Sequence, residues 1–149
     1  MDFFFSELDV SNIRGSVILL DIDGTIVPDG EAMPNQGAIK KIVELMKNNR
    51  VYLCTNKKIH ERNRALAEVS GAHYLETPFR KPSKKILSHL SELSRHTYVV
   101  IGDKLITDGL FAKRIGASFI KVRRLTAPRE NLIVRLSYWV DDLMAKLFF

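Results

Sequence analysis

Four short apolar runs, each stopped by polar residues, constrain this chain more than any other feature. Val17-Ile18-Leu19-Leu20 stops at Asp21, Val51-Tyr52-Leu53-Cys54 at Thr55, and Tyr98-Val99-Val100-Ile101 at Gly102-Asp103. Ser118-Phe119-Ile120-Lys121-Val122 gives way to Arg123-Arg124, and His73-Tyr74-Leu75 is a weaker fifth run. Apolar runs of this length without alternation suit strands buried on both faces. The segments between them carry helical spacing. Asn35 can cap a helix with apolar Ile39, Ile42, Val43 and Met46, and a second helix is predicted from about Lys58 to Val69, closed by Gly71. Pro82-Ser83 introduces a third, with Ile86, Leu87, Leu90 and Leu93 on one face, and a short fourth ends at Gly116. Strand and helix in alternation predict one α/β domain with an open five-stranded parallel sheet flanked by helices.

Length and composition agree with that architecture. A chain of 149 residues is one domain's worth, and 46% hydrophobic with 27% charged residues excludes disordered and collagen-like classes. The lone Cys54 excludes an internal disulfide framework and points to a reducing, cytoplasmic setting. The start, Met1-Asp2-Phe3-Phe4-Phe5-Ser6-Glu7, lacks the basic flank and longer apolar run of a secretory signal. No uncharged stretch approaches the ~20 residues that cross a bilayer. Charge is divided unevenly: residues 1–31 hold seven carboxylates against Arg14, while the remainder has 22 basic and 10 acidic residues. A basic body of this kind suits phosphorylated small molecules, anionic membrane surfaces or nucleic acid.

In parallel α/β sheets ligands bind beyond the carboxyl ends of the strands. Those ends supply Asp21 and Asp23, then Thr55 and Asn56, then Arg80 and Lys81, then Asp103 and Asp108. Carboxylates, a hydroxyl and an ammonium on one rim suit phosphoryl transfer through an aspartyl phosphate. A carboxylate nucleophile needs a divalent cation to offset its repulsion from a phosphate dianion, and Mg²⁺ accepts carboxylate, water and substrate oxygens. In extended Asp21-Ile22-Asp23 both acids share one side, so the second can protonate the leaving alkoxide. Gly24 then permits a sharp turn that brings backbone close to the phosphate.

These residues resemble the haloacid dehalogenase (HAD) superfamily of phosphatases. Asp21-Ile22-Asp23-Gly24-Thr25 is similar to its first motif, Cys54-Thr55-Asn56 to its second, Lys81 to its third, and Gly102-Asp103 with Thr107-Asp108 to its fourth. The match runs over about residues 10–125. Arg80-Lys81-Pro82 and Gly102-Asp103-Lys104-Leu105-Ile106-Thr107-Asp108 further resemble the capless subfamily III branch of YqeG-like proteins and phosphatidylglycerophosphate phosphatases. Gly24 and Lys104 depart from the Asn and Gln common in that branch. The resemblance implies a single Rossmann-like domain over residues 1–149 and Mg²⁺-dependent phosphomonoester hydrolysis. It implies Asp21 as nucleophile, Asp23 as general acid/base, Thr55 and Lys81 on the phosphoryl group with Gly24 and Asn56 beside it, Asp21, Asp23 and Asp103 as metal ligands, and Asp108 in support.

Within the superfamily, cap domains inserted after the first motif or between the second and third set specificity. Here 31 residues separate Asp23 from Thr55 and 25 separate Thr55 from Lys81. Both intervals are filled by the predicted turns, helices and strands, so an open site is expected. Such a site suits large phosphates: a phosphorylated membrane lipid, a nucleic-acid end (the less favoured) or a phosphoprotein. A helix is predicted over about residues 130–149, with Leu132, Leu136, Trp139, Val140, Leu143, Leu147 and Phe148 on one stripe and Asn131, Arg135, Asp142 and Lys146 near the opposite side. Lys121, Arg123, Arg124 and Arg129 lie upstream. Packing on the sheet, a homo-oligomer contact and a peripheral membrane contact are all open to it, Asp141 and Asp142 opposing the last. Lys40-Lys41, Lys57-Lys58 and Lys84-Lys85 are read as solvated helix faces, and the histidines receive no role. A receiver-like signalling module and a non-catalytic adaptor on the same fold are the competing function classes.

Overall fold

The computed structural model describes residues 2–90, 97–127 and 132–148. Five strands, β1 (Ser16–Leu20), β2 (Arg50–Leu53), β3 (His73–Tyr74), β4 (Thr97–Gly102) and β5 (Ser118–Lys121), form one sheet in the order β3-β2-β1-β4-β5. Every neighbouring pair is parallel. The five-stranded parallel α/β architecture expected from the apolar runs is therefore present. Side chains of β1 alternate between two cores, as the pleat requires. Ile18 and Leu20 join Ile42 and Leu45 of α1 (Gln36–Met46) and Leu66 of α2 (His60–Ser70). Val17 and Leu19 face the other way, toward Ile86 and toward Phe111 of α3 (Leu110–Ile115). With both faces covered, β1 is buried along its whole length.

Local chemistry fixes the helix ends. The Asn35 side chain accepts a hydrogen bond from the Ala38 amide at 2.8 Å, capping α1, a contact typically worth about 1 kcal/mol. Gly71 and Gly116 end α2 and α3 in the left-handed conformation. The helix predicted after Ser83 is instead a 3-10 helix over Lys84–His89, with Ser83 capping Lys85. This winding rises about 2.0 Å per residue against 1.5 Å, carrying the chain farther along the sheet on its way to β4. Leu93, Arg129, Asn131 and the last residue, Phe149, lie outside the described residues, as does the Phe148 side chain.

For the last helix, α4 (Leu132–Phe148), the structure narrows the readings left open. Its apolar stripe does not pack on the sheet: Leu132, Ile133, Leu136, Trp139 and Leu147 are more than half exposed. Buried instead are Tyr138 and Asp141. The Asp141 carboxylate accepts hydrogen bonds from the Leu105 and Ile106 amides at 3.1 and 2.9 Å. Those donors open the single π-helical turn Leu105–Gly109, so a carboxylate there satisfies otherwise orphaned N–H groups. The helix is held by its polar side, and its apolar side faces out. No helix among the described residues is long and apolar enough to cross a membrane.

Candidate active site

Chain order turns back between β1 and β4: β2 and β3 extend the sheet one way, then the chain returns to place β4 on the far side of β1. This is the topological switch point at which doubly wound sheets hold ligands. Leu20 pairs with Leu53 on one side and with Ile101 on the other, so Asp21, Thr55 and Asp103 leave the sheet close to the same level. Backbone bonds extend this alignment beyond the strands, from the Asp21 amide to Ile101 O (2.9 Å) and from the Cys54 amide to Leu20 O (2.8 Å).

Carboxylate oxygens of Asp21, Asp103 and Asp108 lie within 4.8 Å of one another, and all three residues are buried. Lys81 Nζ donates to Asp21 Oδ1 at 2.8 Å and to Asp108 Oδ1 at 2.5 Å. The Thr25 hydroxyl lies between Asp21 Oδ2 (3.1 Å) and Asp103 Oδ1 (3.0 Å). Two glycines make the crowding sterically feasible. A Cβ on Gly102 would fall 2.2 Å from Asp108 Oδ2. One on Gly24 (φ +81°) would fall 2.2 Å from the Tyr138 hydroxyl and 2.5 Å from Asp103 Oδ2.

Three buried acids and one ammonium leave negative charge in excess, and the titration behaviour follows. Burial would depress the Lys81 ammonium, but Asp108 and Asp21 outweigh it and hold the group charged. Burial, reinforced by the Asp21 charge, pushes the Asp108 carboxyl up to about 7 against the pull of Lys81. Burial and the charges of Asp21 and Asp108 raise Asp103 as well. Asp103 Oδ2 is buried with no hydrogen-bond partner among the described residues. Hard carboxylate oxygens, one of them orphaned, form a donor set that fits a divalent cation such as Mg²⁺.

Asp23 has a different environment. Its carboxylate sits outside that cluster, gripped by both terminal nitrogens of Arg62 at 2.6 and 2.8 Å, and Thr55 Oγ1 is 3.4 Å away. Asn56, expected beside the phosphate, lines the pocket and clamps the Lys81 backbone with both ends of its amide, accepting from Lys81 N (2.7 Å) and donating to Lys81 O (3.0 Å). A cavity of about 370 Å³ opens over the cluster, and the expected residues Asp21, Asp23, Thr55, Asn56 and Lys81 all line it. Gly24, Asp103 and Asp108 lie in its immediate surroundings, in contact with Tyr138 or Lys81.

Several contributors were not anticipated. Thr25 stands inside the first motif, but Arg62 is one of two arginines on α2, with nothing local to single it out. Tyr138 comes from α4, with Lys104 Nζ 4.5 Å and Arg124 Cζ 3.8 Å from its ring centre. Lys57 and Lys58 are corrected from a helix face to the loop before α2, which begins at His60, and both line the cavity. The turn after Thr55 delays the helix, since the Thr55 hydroxyl accepts from the Lys57 amide at 3.1 Å.

Cys54 precedes this rim and is buried, its thiol pushed up to about 11, chiefly by burial. The thiolate is the reactive species, so alkylation of the native protein should run at least about 100-fold slower than after unfolding in denaturant. Equal rates in the two states would contradict the burial of this side chain.

The switch point of this doubly wound sheet thus holds an acidic, lysine-bridged cluster whose donor set could take a metal ion. Residues 78–145 are similar to the HAD-hydrolase-like family. That stretch contains Lys81, Asp103, Asp108 and Tyr138, while Asp21 and Asp23 precede it. No curated protein matches the chain.

Proposed function

We propose that this chain is a Mg²⁺-dependent phosphomonoester hydrolase that works through an aspartyl phosphate. The observation that carries this reading is the Asp21–Asp103–Asp108 cluster bridged by Lys81 at the β1/β4 switch point. Asp21 is the nucleophile: one of its oxygens attacks phosphorus as the P–O ester bond breaks. Asp23 gives its proton to the departing alkoxide. Water then attacks the phosphoryl phosphorus, Asp23 takes its proton, and inorganic phosphate leaves with the Asp21 carboxylate restored. Lys81 and Thr55 hold the equatorial oxygens, and Asn56 fixes the Lys81 backbone. Gly24 turns the chain beside the phosphate, its own amide being held by Val27 O at 2.7 Å. Asp21, Asp103 and the backbone carbonyl of Asp23 would hold Mg²⁺ with Asp108 in support, and the ion would offset charge between nucleophile and phosphate. Arg62 occupies both Asp23 carboxylate oxygens, so the acid role requires that pair to loosen when substrate enters.

The receiver-like alternative is disfavoured by topology, because the flavodoxin-like order of such modules is 2-1-3-4-5 and this sheet runs 3-2-1-4-5. The described residues include no inserted domain over the cavity. That openness favours a large phosphate substrate, and a phosphorylated membrane lipid such as phosphatidylglycerophosphate is the leading choice. The test is phosphate release from p-nitrophenyl phosphate with Mg²⁺ and with EDTA, followed by a panel of lipid, sugar, nucleotide and peptide phosphates. Mg²⁺-dependent release is expected, and its absence across the panel would overturn the reading.

A further inference from the structure

We propose that the outer face of α4 is a docking surface for an anionic lipid bilayer, so that the helix whose inner side walls the catalytic pocket also seats the protein on a membrane. At about 100° per residue, Trp139, Leu132, Leu143, Leu136, Leu147 and Val140 fall on one continuous stripe of α4, and each is at least 40% exposed. A stripe this wide on a surface helix is what normally enters a core, and here it stays 40–79% exposed. Arg135 and Lys146, expected near the opposite side, instead border one edge of the stripe and are exposed. There their long stems can run along the apolar surface while their charges reach lipid phosphates.

Electrostatics chooses the occupant. The acidic pair Asp141 and Asp142 speaks against lipid only if both face outward. Asp141 is 3% exposed and turned inward onto the Leu105 and Ile106 amides, which leaves Asp142 alone at the edge. The chain carries a net +6, so a second copy would bring like charge to this face, whereas an anionic bilayer brings the complement. Tyr138, next to Trp139 in the helix, lines the cavity together with Asp21 and Lys81. A bilayer on the outer face would therefore lie about one helix diameter, some 10 Å, from the pocket wall. The consequence for substrate, that the phosphate is borne by a lipid in that bilayer, rests on the phosphatase reading; the docking itself does not.

Trp139 is the only tryptophan, so its emission reports on this face alone. The full chain is titrated with vesicles of phosphatidylcholine and of phosphatidylcholine with phosphatidylglycerol, and co-sedimentation is measured in parallel. The expected result is a blue shift with the anionic vesicles and binding on the order of 10-fold tighter than to neutral ones, weakened by salt. The double variant Leu136→Asp/Leu143→Asp, altered only at exposed positions, should lose vesicle binding and keep its turnover of p-nitrophenyl phosphate. Failure of the wild-type chain to bind anionic vesicles would overturn the proposal. So would an emission already blue-shifted without lipid together with a dimeric mass by light scattering, which would assign the face to a second copy. Neither outcome touches hydrolysis of the soluble substrate, so docking and catalysis are judged separately.

Discussion

Asp21→Asn is expected to reduce Mg²⁺-dependent turnover of p-nitrophenyl phosphate by about four orders of magnitude or more, the scale set by loss of a catalytic nucleophile. The amide is nearly isosteric and its carbonyl oxygen can still accept from Lys81 or Thr25, both of which contact Asp21 in the native site. What it lacks is the negative oxygen that attacks phosphorus. The substitution also removes one charge from a crowded cluster in which Asp21 helps to raise both Asp103 and Asp108. The variant should therefore be at least as stable as the parent, so lost turnover would not reflect lost folding. Active sites commonly hold such destabilising charge for function. Steady-state turnover with urea unfolding of both proteins checks the pair of outcomes, and clear activity in the variant would remove Asp21 from the nucleophile role.

The second large effect is expected in stability. The Lys81 ammonium lies on Asp21 and Asp108, and the Lys81 and Asp108 side chains are 3% and 1% exposed. Lys81→Met leaves buried carboxylates uncompensated, a change that typically costs about 3–5 kcal/mol, a large part of a domain's ~5–15 kcal/mol. The pH dependence has a definite sign. Asp108 titrates near 7 in the folded chain against 3.8 for the ordinary group, so between these values the folded state holds the extra proton. Its contribution to stability therefore falls as pH rises through that window. Removing Lys81 deepens the penalty, so the variant should be most destabilised above about pH 7 and recover toward pH 5. Mg²⁺, binding the folded state alone, should offset part of the loss at high pH. Urea midpoints at the two pH values, with and without Mg²⁺, check this; a variant as stable as the parent above pH 7 would refute the buried ion-pair account.

Much of the site was legible because parallel α/β folds collect chemistry at strand ends. Asp21, Thr55 and Asp103 each follow an apolar run that could hardly be anything but a buried strand, and the rule for such sheets brings those positions to one rim. Lys81 lies in a loop and Asp108 in the helical turn directly after β4, so both stay near that rim. Arg62 and Tyr138 were illegible for the complementary reason. Each sits on a helix far along the chain, and a helical pattern says which residues share a face, not which face meets the pocket. The pattern of α4 left its partner open, and its most apolar stripe proves to be its least buried. Hydrogen bonding of Asp141 to two orphaned amides and the seating of Tyr138 beside Asp103 outweigh the burial of that stripe.

The order of apolar runs and their polar stops determined the α/β class, the five parallel strands, the side of the sheet that carries chemistry and the four strand-end acids there. Periodicity and local spacing suffice for that, because they act within a few residues. Only the tertiary structure decided that Asp108 rather than the Asp23 carboxylate completes the acidic cluster, that Arg62 grips Asp23, and that α4 turns its polar side inward. Those outcomes depend on contacts between groups 36 to 60 residues apart in sequence, such as Lys81 with Asp21 and Leu105 with Asp141, and on which of several competing charges can be satisfied at once. Such competition is settled by the packed chain as a whole.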